Sequence, residues 1–202
     1  MSYSLDSLSE DCYPGTSVLV NKLGIQDQAQ LAESEALITG VKSLQFELSP
    51  FSEPMDFSSS KNLHKFVFGE LYDWAGTVRT INLSKQHTQF CAADNIESLA
   101  ALMFARIGDM NYLRGMERQE FLVELADFYN SLNYLHPFRE GNGRVQRLYF
   151  RQLARQAGYT LDFAKVDSDT MMLATIHAAS GIQDTLIRVF GEIISPLPDD
   201  CQ

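Results

Sequence analysis

Cysteine is scarce in this 202-residue chain: Cys12, Cys91 and Cys201 are odd in number and far apart. That excludes a disulfide framework and any paired-cysteine zinc spacing, and a reducing, cytoplasmic setting is the expectation. Positive charge is also short, with 16 Lys and Arg against 26 Asp and Glu, a formal net charge of −10 and a pI near 4.8. Such a balance argues against a general grip on nucleic-acid phosphates and against docking on an anionic membrane. No apolar run approaches the roughly 20 residues that span a bilayer. The start, Met1 to Asp6, has neither the basic nor the apolar region of a signal peptide. Solenoid-period repeats are missing as well. What remains is 45% hydrophobic, too rich for a disordered chain and of ordinary size for one domain.

Apolar spacing predicts a mainly helical fold. Leu31, Leu37, Ile38, Val41, Leu44 and Leu48 suggest one amphipathic helix. Leu63, Phe66, Val67, Phe68, Leu71 and Trp74 suggest a second, as core rather than a cofactor box. A third, capped by Asp94, carries Ile96, Leu99, Leu102, Met103 and Ile107. A fourth holds Phe121 to Leu132, and a fifth runs from about Asn142 to Ala157 before Gly158. Segments 168–179 and 183–194 complete the set, broken at Gly181. Only 78–83 and 88–91 favour strand, with 84–87 as the turn between them. One hairpin is too little for a structural sheet and is expected to be a functional flap. The stretch 49–54, followed by Ser58, Ser59 and Ser60, is expected to join two helices rather than two domains. An orthogonal α bundle with a β-hairpin follows.

Chemistry concentrates in His136-Pro137-Phe138-Arg139-Glu140-Gly141-Asn142-Gly143-Arg144-Val145-Gln146-Arg147. Proline disfavours α conformation at His136, so the imidazole leaves the preceding helix at a fixed loop position. Gly141 and Gly143 allow a tight turn and a close backbone approach to a ligand. The helix that follows adds its own N-terminal N–H groups, so the segment reads as an anion site suited to phosphates. Glu140 alone would repel phosphate; with a magnesium ion between them it becomes a ligand. Arg144, Arg147, Arg151 and Arg155 follow at spacings of three and four. From Arg139 to Arg155 five arginines and one glutamate sum to +4, against −14 for the remainder. A base, a cradle, a metal ligand and guanidiniums within twelve residues describe a nucleotide-transfer site. Arg151 and Arg155 read as a solvated face, and His64, His87 and His177 as surface or satisfied core histidines.

That segment resembles the Fic family motif, His-Pro-Phe-x-Asp/Glu-Gly-Asn-Gly-Arg-x-x-Arg, at every specified position. Tyr13-Pro14-Gly15, Asn21 to Ile25 and Tyr72-Asp73-Trp74-Ala75-Gly76-Thr77-Val78-Arg79 are similar to the single-domain bacterial Fic toxins. The resemblance implies one Fic domain over 1–202, with a core of about 13–190. It implies transfer of AMP from ATP to a protein hydroxyl, with His136 as general base and Glu140 holding Mg2+. Gly141, Asn142 and Gly143 would line the anion hole, and Arg144 and Arg147 would bind the outer phosphates. The hairpin would be a flap registering the target by main-chain pairing, with Gln89 and Phe90 touching nucleotide or target. Phe138 would anchor the loop in the core.

Within the family, Glu140 favours adenylylation over the phosphotransfer of the related Doc branch, and intact His136 disfavours a silent nucleotide-binding module. The family's inhibitory Ser/Thr-x-x-x-Glu-Gly/Asn motif is not found. Ser7 to Cys12, Ser49 to Pro54 and Ser180 to Thr185 are the nearest approximations and fail at its last position. The resemblance therefore implies a toxin whose inhibitory helix comes from a small antitoxin contacting Arg147. Its targets would be the gyrase and topoisomerase IV ATPase subunits, modified on a tyrosine.

Overall fold

The computed structural model describes residues 11–50, 54–85 and 88–197. Cys201, His87 and the middle of the 49–54 stretch lie outside them. Helix α1 (Gln28–Leu48) starts where the Asp27 side chain accepts from the Gln30 N–H at 2.8 Å. Helix α2 (Phe57–Phe68) is capped in the same way by Asp56, so Ser58, Ser59 and Ser60 belong to its first turn and not to a linker. It ends at Gly69, and Trp74 lies in the turns beyond it, stacked on Tyr72. A hairpin follows, β1 (Ser84–Lys85) with β2 (Thr88–Gln89), antiparallel with Ser84 opposite Gln89. Its strands are two residues long, and 78–83 is not strand. Within that stretch the Arg79 N–H donates to the Pro137 carbonyl, while the Leu83 carbonyl accepts from the Phe90 N–H.

Helix α3 (Ile96–Asp109) begins at Asn95, because Asp94 is taken into a single 3-10 turn before it. Helices α4 (Arg118–Leu135) and α5 (Asn142–Gln156) form the centre. Phe121, Leu125, Phe128 and Leu132 of α4 and Val145, Tyr149, Phe150 and Leu153 of α5 are buried together. Strand β3 (Tyr159–Leu161) follows Gly158, which has φ +89°. Helices α6 (Ser168–Ala179) and α7 (Asp184–Ile193) close the bundle, and β4 (Ile194–Pro196) pairs antiparallel with β3. This second two-stranded pair is additional to the expected hairpin. Its three-residue strands are too short to show an alternation.

Helix α1 turns the opposite way from the sequence expectation. Leu37, Val41, Leu44 and Leu48 are 73, 58, 58 and 78% exposed, while Leu31, Thr39 and Phe46 are buried. The apolar stripe faces outward because the inward face has polar work to do. Glu35 and Thr39 hydrogen-bond Arg144, and Glu47 pairs with Arg151. Helix periodicity finds an apolar stripe but not the side it faces.

Candidate active site

Helix α4 stops at His136, its C-cap, which sits in the left-handed region at φ +44°, ψ +59°. Its N–H still donates to the Leu132 carbonyl at 3.1 Å. A non-glycine residue there costs about 1–2 kcal/mol, so its surroundings must hold it. His136 Nδ1 lies 3.3 Å from the Asn133 carbonyl. A ring nitrogen facing a carbonyl carries the proton, which makes Nε2 the basic nitrogen. The Phe90 ring stacks on the imidazole, with centroids 3.7 Å apart and planes 11° from parallel. Sequence periodicity gave no hint of that contact.

The loop after His136 is pinned by its own polar groups. Asn142 accepts from the Phe138 N–H at 2.8 Å and donates to the Phe138 carbonyl at 2.7 Å. Its buried side chain is therefore a staple, and what it offers a ligand is its N–H. Phe138 is 1% exposed, as an anchor should be. Gly141 has φ +80°, and a Cβ there would lie 2.2 Å from the Phe68 ring, so only glycine fits. Gly143 differs: it is helical, and its missing side chain leaves room beside the Arg147 guanidinium rather than making a turn. Helix α5 has no side-chain cap. The Asn142 and Gly143 N–H groups sit in its first turn, where a helix supplies no partner. They form the opening of an anion site.

Glu140 flanks that opening, accepting from the Gly141 N–H at 2.7 Å and lying 3.5 Å from Arg144. Among the described residues no cluster of three carboxylate, histidine or cysteine groups could hold a metal alone. A lone carboxylate beside a phosphate cradle fits magnesium, which is held by one or two carboxylates together with phosphate oxygens and water.

The positive focus read from the sequence is largely neutralised by acids distant along the chain. Arg144 pairs with Glu35 at 2.5 Å, whose other oxygen accepts from the Tyr72 hydroxyl, and its guanidinium lies over the Phe68 ring. Arg139 pairs with Asp11, and Arg151 with Glu47, so Arg151 is a structural pair and not a solvated residue. Arg147 is exposed and makes no ion pair among the described residues. The count of +4 along the segment therefore overstates the local field: of its five arginines, Arg147 and Arg155 make no ion pair among the described residues.

Two buried posts support the loop from outside it. His64 is fully buried and donates from Nε2 to the Glu140 carbonyl at 2.9 Å, while its Nδ1 accepts from the Gly76 N–H. It is a satisfied core histidine, stacked between Phe68 and Phe138, and burial lowers its pKa to about 4. Arg79 is the second post, with its guanidinium on the His136 and Leu135 carbonyls. The sequence reading of His64 as a surface or satisfied core histidine resolves to the core, and that of Arg79, within the stretch 72–79 alone, assigns it no role at the loop. The signal present was a histidine inside an apolar stripe and an arginine closing the family-like stretch 72–79. Gln89 is exposed, and with Phe90 it lines a cavity of about 200 Å3 that also touches Asn82, Leu83, Ser84 and Ala92. His177 is exposed and bonded to Thr185. No helix of the described residues is long and apolar enough to cross a membrane.

A model of the Fic/DOC family matches residues 54–154, a span from the cap of α2 to the end of α5. The chain is 37% identical over 180 residues to the protein adenylyltransferase VbhT of Bartonella schoenbuchensis, covering 88% of this chain and 38% of that one. It is 30% identical over 183 residues to the Escherichia coli K12 protein named "Probable protein adenylyltransferase Fic", covering 91% and 90%. The crystal structure of the effector BepC from Bartonella tribocorum with bound AMPPNP superposes at a TM-score of 0.85 and 26% identity. That match covers 93% of this chain and 97% of that one. The N-terminal Fic domain of an effector from Bartonella quintana with bound ADP superposes at 0.87 and 26% identity, over 95% and 96%.

Proposed function

The chain belongs to the Fic/DOC family, and on that premise we propose that it transfers AMP from ATP to a hydroxyl side chain of a target protein, releasing diphosphate. Its relatives are named protein adenylyltransferases, and its structural neighbours hold AMPPNP or ADP. The observation that carries the reading is the juxtaposition of a basic His136 Nε2 with the open first turn of α5, bordered by Glu140 and Arg147.

The steps follow from those groups. ATP places its α-phosphate at the Asn142 and Gly143 N–H groups, which stabilise charge developing on the phosphate oxygens. Arg147 takes the outer phosphates, with Arg144 beside it, held by Glu35. Glu140 would hold Mg2+, which would supply positive charge to offset that on the leaving diphosphate. His136 Nε2 accepts the proton of the target hydroxyl as its oxygen bonds to the α-phosphorus. The bond from that phosphorus to the β-phosphate oxygen breaks, and diphosphate leaves. A target segment pairs with the flap edge at β1–β2, and this brings its hydroxyl to His136.

The finer reading is a cytoplasmic toxin that adenylylates a tyrosine of a type II topoisomerase ATPase subunit, silenced by an antitoxin helix. The exposure of Arg147, without an ion pair among the described residues, supports a trans-acting glutamate partner. Incubation with a bacterial lysate and ATP labelled at either the α- or the γ-phosphate tests the reaction. α-Label on a protein is expected, and mass spectrometry then names target and residue. γ-Label would reassign the reaction to phosphotransfer, and no label would reduce the protein to a binding module. Strong self-inhibition of the isolated chain would overturn the trans-inhibitor reading.

A further inference from the structure

The turn after α2 delivers Arg79 into the interior, where it is 4% exposed. All three guanidinium nitrogens donate to main-chain carbonyls: Nε to His136 at 2.8 Å, one Nη to Ile81 at 2.6 Å, and the other to Cys91 at 2.5 Å and Leu135 at 3.4 Å. The backbone runs parallel to this. The Arg79 N–H donates to Pro137 O and the Cys91 N–H to Tyr134 O, both at 2.9 Å. Ile81 and Cys91 stand at the two ends of the flap, while Leu135 and His136 end α4.

Burying a cation is costly, and burial pulls the Arg79 pKa below the ordinary arginine value. The charge is nonetheless matched to its place. The last carbonyls of a helix lack helical partners and carry the negative end of its dipole, so a guanidinium there is well placed. A planar fork is also the side chain that serves acceptors in several directions at once. Packing alone would ask only for a leucine or methionine.

We infer that Arg79 is a positioning residue: it holds His136 in the left-handed conformation and ties both ends of the flap to the same point. One side chain then sets the distance between the edge that presents the target hydroxyl and the base that receives its proton. The inference rests on His136 being that base. Arg79 touches no substrate, so its effect belongs to the rate and to use of the protein target, and not to ATP binding.

The test is Arg79→Lys, whose ammonium retains three donors, compared with His136→Ala in the full chain. Arg79→Lys is expected to fold and to bind a non-hydrolysable ATP analogue within about two-fold of the parent. Its kcat should fall on the order of 10- to 100-fold, with a raised KM for target, because small misplacement of reacting groups is that costly. Amide exchange should quicken at Cys91 and at Tyr134 to His136. Parent values of kcat and target KM, or a loss of ATP binding in step with kcat, would overturn the inference. His136→Ala separates the premise: if it still transfers, the base assignment fails; if it is dead while Arg79→Lys is fully active, only the clamp fails. Should Arg79→Lys not fold, the parent serves. The Arg79 and Cys91 amides should then exchange at rates within about two-fold of each other, as one cooperative unit, and a ten-fold difference would refute the clamp.

Discussion

The loop from His136 to Asn142 and the flap residues 84–85 and 88–90 face each other over the imidazole, and they are built in opposite ways. In the loop His136, Phe138, Arg139 and Asn142 are buried, and Asn142, His64 and Arg79 hold its peptide groups from three sides. The flap has two-residue strands, an exposed Gln89 and a half-buried Phe90 resting on the base. The groups that do chemistry are fixed before substrate arrives, as preorganised catalysis requires. The groups that meet the target are few and rely on main-chain pairing, which tolerates different side chains.

Breaking the loop side should have the largest effect. His136→Ala is expected to reduce transfer by about 1000-fold or more, within the range that general-base loss supports, while circular dichroism stays unchanged. Undiminished labelling would refute the base assignment.

Protonation of His64 challenges the same loop through its support. The folded pKa lies near 4, below the ordinary value of about 6.5, so the folded state resists a proton that the unfolded chain accepts. Stability is therefore complete above about pH 6.5 and is lost as pH falls toward 4, by an amount on the order of 3 kcal/mol. In urea denaturation across that window His64→Phe should flatten the slope, and an unchanged slope would assign the acid loss elsewhere.

The two arginines sharpen the comparison within the loop's own helix. Arg147→Ala should raise the KM for ATP by about 10- to 100-fold, the worth of a charged hydrogen bond, and leave Tm in place. Arg144→Ala should lower Tm as well, because it leaves the nearly buried Glu35 carboxylate without its cation. Equal Tm values for the two would mean that Glu35 does not hold Arg144.

The flap carries the smallest expectation. Gln89→Ala should raise target KM by about three-fold, the scale of one exposed hydrogen bond, with ATP KM unchanged. A change in ATP KM alone would move Gln89 from target to nucleotide.

Composition, helical spacing and one motif determined much by themselves: seven helices among the described residues, all but α2 near their expected positions, a hairpin, and the motif from His136 to Arg147. These are local signals, set by spacing, caps and glycines within a few residues of one another. Tertiary structure decided whatever depended on partners remote in sequence. It turned the leucine stripe of α1 outward so that Glu35 and Thr39 could meet Arg144. It set Asp11, Glu35 and Glu47 against arginines more than a hundred residues away, and so left Arg147 as the unpaired arginine at the start of α5. It also placed His64 and Arg79 under the loop, where they act. A linear pattern records which groups a chain owns; the pairing of buried charges and carbonyls is settled only when folding removes water from between them.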